Sequence, residues 1–254
     1  MTRAAAPLAF GVFLLAMWEL SLVAADIPAY IMPRPSEIGA ALASNAAELA
    51  GALSVTLEVT VVALLLAAVS GALIAIGLAQ SPLAERIFFP YAIFLQVTPI
   101  VTIAPFVIIW VEDVFFVLLI LAWMAALFPI ISNTLLGLKS VDANLKDLFL
   151  LYRATRWQTV RRLLIPSALP YFLGGLRIAG GLALIGTVVA EMVAGTSGTR
   201  SGLASRLVEA SYRLDLALAL GCFVLLSASG LGLYLALDAL SRRLLRHWHE
   251  SARA

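Results

Sequence analysis

The stretch DLFLLYRATRWQTVRRLLIPSALP, Asp147 to Pro170, sets four arginines in the middle of a chain that is otherwise mostly apolar. Leu145, Leu148, Phe149 and Tyr152 recur at helical spacing, so a helix from about Asn144 to Arg153 has one apolar and one charged face. Thr155-Arg-Trp-Gln158 then has the form of a capping box, in which a hydroxyl and an amide satisfy free amides at a new helix start. A second short helix, with Leu163 and Leu164 on its apolar side, is expected to run to Ile165. Pro166 and Pro170 are expected to stop it, because proline lacks the amide donor and restricts the preceding residue. The pattern is helix, turn, helix, stop. Two uses fit it: a hairpin lying on anionic headgroups, or a docking surface for a partner.

Working outward, 62% of the 254 residues are hydrophobic, 13% are charged, and mean hydropathy is +1.01. Ordinary soluble domains carry about 25% charged residues, whereas a bilayer crossing needs about 20 predominantly apolar ones. The chain reads as an all-α integral membrane protein with about six spans, near residues 7–25, 54–79, 88–110, 115–136, 168–194 and 216–237. It reads as one membrane domain over 1–254, with a polar loop at 139–167 between the fourth and fifth spans.

An even number of spans puts both termini on one side. If that side is the cytoplasm, 12 of the 17 basic residues lie inside: Arg3, Arg86, Lys139, Lys146, Arg153, Arg156, Arg161, Arg162, Arg242, Arg243, Arg246 and Arg253. Arg34, Arg200, Arg206 and Arg213 fall outside and Arg177 falls within a span, so positive charge orients the chain with the quoted stretch in the cytoplasm. The first run also resembles a signal peptide, with Arg3 before it and Val23-Ala24-Ala25 after it. Its length and Glu19 favour a retained span. Outside, Ser36 is expected to cap a short helix reaching about Ala50.

Several chemistries lack their residues. The net charge of +2 and its placement give no reason to expect nucleic acid. Cys222 is the single cysteine, so neither an intrachain disulfide nor a thiol metal site is expected. His247 and His249 lie in the basic tail beyond the last span, which leaves an intramembrane metal or serine enzyme without a histidine in a span. No Gly-x-x-x-x-Gly-Lys-Ser/Thr string occurs, and Lys139 and Lys146 are the only lysines, so ATP binding by a P-loop is not expected in this chain. A proton-coupled transporter is the remaining rival, with Glu58, Arg177 and Glu191 as its ionisable groups.

The order Asp147-Leu-Phe, Arg153-Ala-Thr and Ile165-Pro-Ser-Ala-Leu-Pro170 resembles the EAA loop of permease subunits of binding-protein-dependent ABC importers. Leu95-Gln-Val-Thr-Pro99, Ala104-Pro105, Phe128-Pro-Ile-Ile131, Gly175-Leu-Arg-Ile-Ala179 and Ala190-Glu-Met-Val-Ala-Gly195 are similar to strings of the nitrate, sulfonate and taurine subfamily. The resemblance covers about residues 30 to 240 and implies the type I importer permease fold. It implies that Asp147, Leu148, Phe149, Tyr152, Arg153, Ala154, Thr155, Ile165 and Pro166 couple the chain to a cytoplasmic ATPase. It also implies two ATPase subunits that carry ATP and Mg, an extracytoplasmic binding protein, a second permease copy, and a bacterial inner membrane.

Two positions depart from the motif: Asp147-Leu148-Phe149 stands for Glu-Ala-Ala, and Arg153 stands where the family has glycine. The Asp-Leu-Phe pattern resembles branches that handle thiamine pyrimidine precursors or riboflavin. Thr98-Pro99 and Ala104-Pro105 are expected to break or kink the third span, making Thr98 and Thr102 path candidates beside Arg177 and Glu191. Along the fifth span, Gly175, Ala179, Ala183, Gly186 and Ala190 form a small-residue stripe that suits a dimer interface, the path, or packing within the chain.

Overall fold

A computed structural model describes residues 2–194 and 201–246; His247, His249, Gly195, Arg200 and Arg253 lie outside the described residues, as does the side chain of Arg3. The described residues form α-helices joined by short turns: α1 Thr2–Ala24, α2 Pro35–Ser44, α3 Ala46–Ala79, α4 Pro82–Val97, α5 Ile100–Trp110 and α6 Val114–Lys139. Then follow α7 Ala143–Leu151, α8 Arg156–Thr159, α9 Ile165–Ala194, α10 Leu203–Tyr212 and α11 Leu216–Leu245. Four helical stretches are long and apolar enough to cross a bilayer alone: Ala46–Ala79, Val114–Lys139, Arg156–Ala194 and Leu216–Leu245. A fifth candidate is the pair α4 and α5, bent by 97° at Thr98–Pro99. Ala9–Ala24 of α1 is a shorter apolar helix whose Phe10, Val12, Phe13 and Leu20 are all more than half exposed.

The chain divides into two compact units. The first comprises Met1–Thr56 and Gly195–Ala228. In it the Glu19 carboxylate of α1 accepts from the Ser36 hydroxyl at 2.7 Å and from the Ser36 amide at 3.0 Å. Ser36 is therefore not the cap of α2. Arg34 is the N-cap residue, and its amide donates to the Glu37 carboxylate at 2.8 Å. The expected helix to Ala50 instead ends at Ser44, where the Asn45 side-chain amide turns back to the Ala41 carbonyl at 2.9 Å. Elsewhere in this unit Arg206 bridges Glu48 and Glu209, each at 2.9 Å.

The second unit, Leu57–Ala194 and Ser229–Ala254, is organised around α6 packed on α9. Leu121, Ala122, Ala126 and Ile130 of α6 are fully buried, as are Ala179, Ala183 and Ala190 of α9. A Cβ on Gly175 would lie 2.8 Å from the Pro129 carbonyl, and one on Gly186 would lie 2.9 Å from the Ala122 Cα. The small-residue stripe thus brings α9 against α6 within the chain, where side chains would hold the backbones apart. Polar links join the other helices here: the Trp123 indole N–H donates to the Ser70 hydroxyl at 3.0 Å, and Thr60 donates to Thr187 at 3.1 Å.

The fifth span departs from expectation. Pro166 and Pro170 do not stop it, and helix continues unbroken from Arg156 to Ala194. One wide turn, Val160–Leu164, has π-helical geometry, and the Ile165 amide donates to the Val160 carbonyl five residues back. A proline ring clashes with the carbonyl four residues before it; for Pro166 that carbonyl, of Arg162, lies in the widened turn, where an extra residue provides room, whereas Pro170 sits in regular helix. The local proline rule is overridden by this wide turn together with the packing of α9 on α6.

Candidate functional site: the loop between α6 and α9

The loop begins where α6 ends, at Lys139, whose ammonium pairs with Glu85 of α4 at 2.5 Å. Asp142 caps α7, its carboxylate accepting from the Asn144 amide at 2.7 Å. The helix ends with two reversing bonds: the Arg153 amide donates to the Leu150 carbonyl and the Ala154 amide to the Phe149 carbonyl, both at 2.9 Å. This is a Schellman motif, and it places Arg153 at the position glycine usually fills. Arg153 adopts φ 51°, so the left-handed turn is kept with an arginine in it.

A side chain in that conformation costs roughly 1 kcal/mol relative to glycine. Arg153→Gly should therefore slow hydrogen exchange at the Ala154 amide about fivefold, the equivalent of that cost. Exchange that is unchanged or faster in the glycine variant would show that the turn carries no strain.

Directly after the turn the capping box forms as the spacing predicts. The Thr155 amide donates to the Gln158 side-chain carbonyl at 2.8 Å, and the Gln158 amide donates to the Thr155 hydroxyl at 3.3 Å. Leu148, Phe149, Tyr152, Ala154, Gln158 and Arg162 line a cleft of about 290 Å³ between the two arms. Asp147 lies on the exposed side of α7, while Ile165 and Pro166 stand beyond the wide turn, at the start of α9.

Large apolar side chains surround the cleft. Leu150 is 72% exposed, Leu151 81%, Tyr152 80% and Trp157 68%, on a segment whose other exposed residues are largely polar or charged. The expected face of Leu148, Phe149 and Tyr152 is thus wider than helical spacing implied. Leu150 and Leu151 were not anticipated, because a repeat at three and four residues does not mark a pair next to a helix end. Trp157 sits inside the capping box, between two polar residues, where no apolar periodicity marks it.

The path candidates separate. The break between α4 and α5 falls at Thr98–Pro99, and Thr98 borders a cavity of about 160 Å³ with Gln96, Leu121, Met124, Ala125 and Leu182. Thr102 lies on α5 with its hydroxyl donating to the Pro99 carbonyl at 2.7 Å, and it does not line that cavity. Pro105 remains inside α5 without ending it. Glu191 is 1% exposed near the end of α9 and is partnered there, and Glu58 is partnered on α3.

Arg177 makes contacts that the sequence did not disclose. It pairs with Asp238 of α11 at 3.0 Å and donates to the Ser241 hydroxyl at 2.8 Å. Asp238 also pairs with Arg242 at 2.6 Å. The available signal was local: Asp238 and Arg242 stand four apart, a spacing that favours an ion pair on one helix face.

Comparison with known proteins places this architecture. A family model described as the binding-protein-dependent transport system inner membrane component matches residues 64–249. The chain belongs to this family of ABC importer permeases.

The permease is 32% identical over 197 residues to the formylaminopyrimidine transport permease protein of Halalkalibacterium halodurans, covering 77% of this chain and 78% of that protein. It is 28% identical over 237 residues to a probable ABC transporter permease protein of Haemophilus influenzae, covering 93% and 95%. It is 32% identical over 167 residues to the riboflavin transport system permease protein of Chloroflexus aurantiacus, covering 66% and 60%. The chain is accordingly a multi-pass inner-membrane transport subunit and not an enzyme, and the family implies an ATPase and a substrate-binding protein as partners. The proton-coupled and intramembrane-enzyme readings fall with that assignment.

Proposed function

We propose that residues 1–254 act as one permease domain, that two identical copies enclose the path, and that both termini face the cytoplasm. Each copy presents α7 and the Thr155 turn to one of two ATPase subunits, with Leu148, Phe149, Tyr152 and their exposed neighbours as the contact. The observation that carries this reading is the apolar crown on the loop, with Leu151 and Tyr152 each at least 80% exposed. Large exposed apolar side chains around a cleft suit a protein partner better than solvent. Arg156, Arg161 and Arg162 flank the crown and hold the loop at the cytoplasmic face under the positive-inside bias.

The broken helix supports a dimeric path. Pro99 has no amide, so the Leu95 carbonyl loses its usual partner, and irregular backbone is tolerated in a membrane only against protein or water. Gln96, exposed beside the break, has the same requirement. A second copy or the path itself meets it.

Gln96 and Thr98 bring an amide and a hydroxyl to the cavity at the break, and its lining contains no charged side chain. Such a lining suits a neutral solute with hydrogen-bonding edges better than a sulfonate or nitrate anion. The names of two relatives, which refer to formylaminopyrimidine and riboflavin, and the Asp147-Leu-Phe pattern support the same class. The test is uptake by proteoliposomes that contain the permease with its ATPase and binding protein. ATP-dependent uptake of an aminopyrimidine, reduced by Gln96→Ala, is expected. Preferential uptake of nitrate or an alkanesulfonate would overturn the substrate class.

A further inference from the structure

We propose that the arginine-lined cleft between α9 and the end of α11 binds the phosphate of an anionic lipid headgroup. The cleft has a volume of about 560 Å³, and its lining includes Arg177, Ser241, Arg242, Arg243 and Arg246. Among the described residues, Asp238 is the only carboxylate paired with any of these four guanidiniums. It accepts from Arg177 and Arg242, while Arg243 and Arg246 make no ion pair with a described residue. The cleft therefore keeps a strong positive excess.

Arg177 is pre-positioned. Asp238 and Ser241 hold two of its nitrogens, and its Nε–H is buried without an acceptor in the protein. The Nε atoms of Arg34 and Arg206 are buried in the same way, so what a headgroup meets at this site is the exposed pair Arg243 and Arg246 beside Arg177. Phosphate oxygens match the arginine fork, which donates two parallel hydrogen bonds to one group.

Apolar neighbours distinguish a lipid from a free anion. Leu231 is 60% exposed, Tyr234 51% and Leu235 55%, an exposed apolar stretch of α11 just before the arginines begin, and Ala239 and Leu245 line the cleft itself. Among the arginines, Leu240 and Leu244 remain 43% and 47% exposed. A site that offers guanidiniums at the headgroup border and leucines beside them fits a molecule with a phosphate and acyl chains.

The test compares full-length permease with Arg243→Gln/Arg246→Gln, Arg243→Lys/Arg246→Lys and the remote control Arg86→Gln. Arg243 and Arg246 are exposed, and monodisperse elution of each variant checks that it is folded. Phosphatidylglycerol retained after washing in neutral detergent is counted by native mass spectrometry, with inorganic phosphate and phosphatidylcholine as competitors. Loss of two surface arginines should weaken phosphatidylglycerol binding about thirtyfold. The lysine pair should retain part of the binding, the control should retain all of it, and neither competitor should displace the lipid. Equal retention by wild type and the glutamine pair would overturn the site. Displacement by inorganic phosphate at matched concentration would overturn the lipid assignment in favour of a soluble anion.

Discussion

Replacing Phe149 and Tyr152 together by aspartate should abolish recovery of the ATPase subunit with the permease and reduce ATP-driven uptake by at least about a hundredfold. Central aromatic anchors of protein interfaces commonly contribute about 2 kcal/mol or more each, so losing two removes most of a modest affinity. Tyr152 is 80% exposed, and aspartate at that position costs the free permease little. Phe149 is half-buried in the cleft, and a variant there also disturbs the loop itself. Leu151→Asp provides the cleaner second variant, because Leu151 is 81% exposed and its loss leaves the fold alone. Full recovery of the ATPase subunit with both variants would remove this face from the contact.

Asp238→Ala should lower the denaturation midpoint of the detergent-solubilised permease by the equivalent of about 2 kcal/mol. The figure lies between the small value of exposed ion pairs and the 3–5 kcal/mol of fully buried ones. The pair is intermediate, since the Arg177 side chain is 32% exposed and that of Asp238 is 13% exposed. Most of the loss comes from the arginine left without its carboxylate, not from the bond itself. Asp238→Asn, which still offers a carbonyl acceptor, should therefore lose less. Asp238→Ala combined with Arg177→Met should recover most of the midpoint, because the orphaned charge is gone. A double variant as unstable as Asp238→Ala would show that packing of α9 against α11, and not charge, explains the effect.

What could be read from the sequence depended on distance along the chain. The capping box at Thr155 and Gln158 and the break at Thr98-Pro99 were legible because their causes lie within four residues. Five of the expected spans correspond to helices over most of their length, and the third is divided by its break. The pairing of Arg177 with Asp238 was not legible, because two charges on separate helices announce nothing until the helices pack. Glu19 and Ser36 illustrate the same limit: the serine looked like a helix cap, but a carboxylate from α1 claims it. Pro166 failed for a different reason. The rule against proline within a helix assumes a regular turn before it, and here that turn is widened.

The stripe from Gly175 to Ala190 had three possible uses, and packing selects among them. Contacts of 2.8 and 2.9 Å to any added Cβ leave no room for a second chain at Gly175 or Gly186. By contrast, α4 has no buried residue of its own.

The unbroken helix from Arg156 to Ala194 contains 39 residues, which at 1.5 Å per residue makes a rod of about 58 Å. Its first residue directly follows the Thr155 turn, and its last turns carry the buried Glu191. A rod of that length, pivoting near its middle through ten degrees or so, sweeps each tip by about 5 Å. The widened turn at Val160–Leu164 and the prolines Pro166 and Pro170 lie toward one end, so flexing concentrates there and leaves residues 171–194 the stiffer part, the blade of an oar beyond its rowlock.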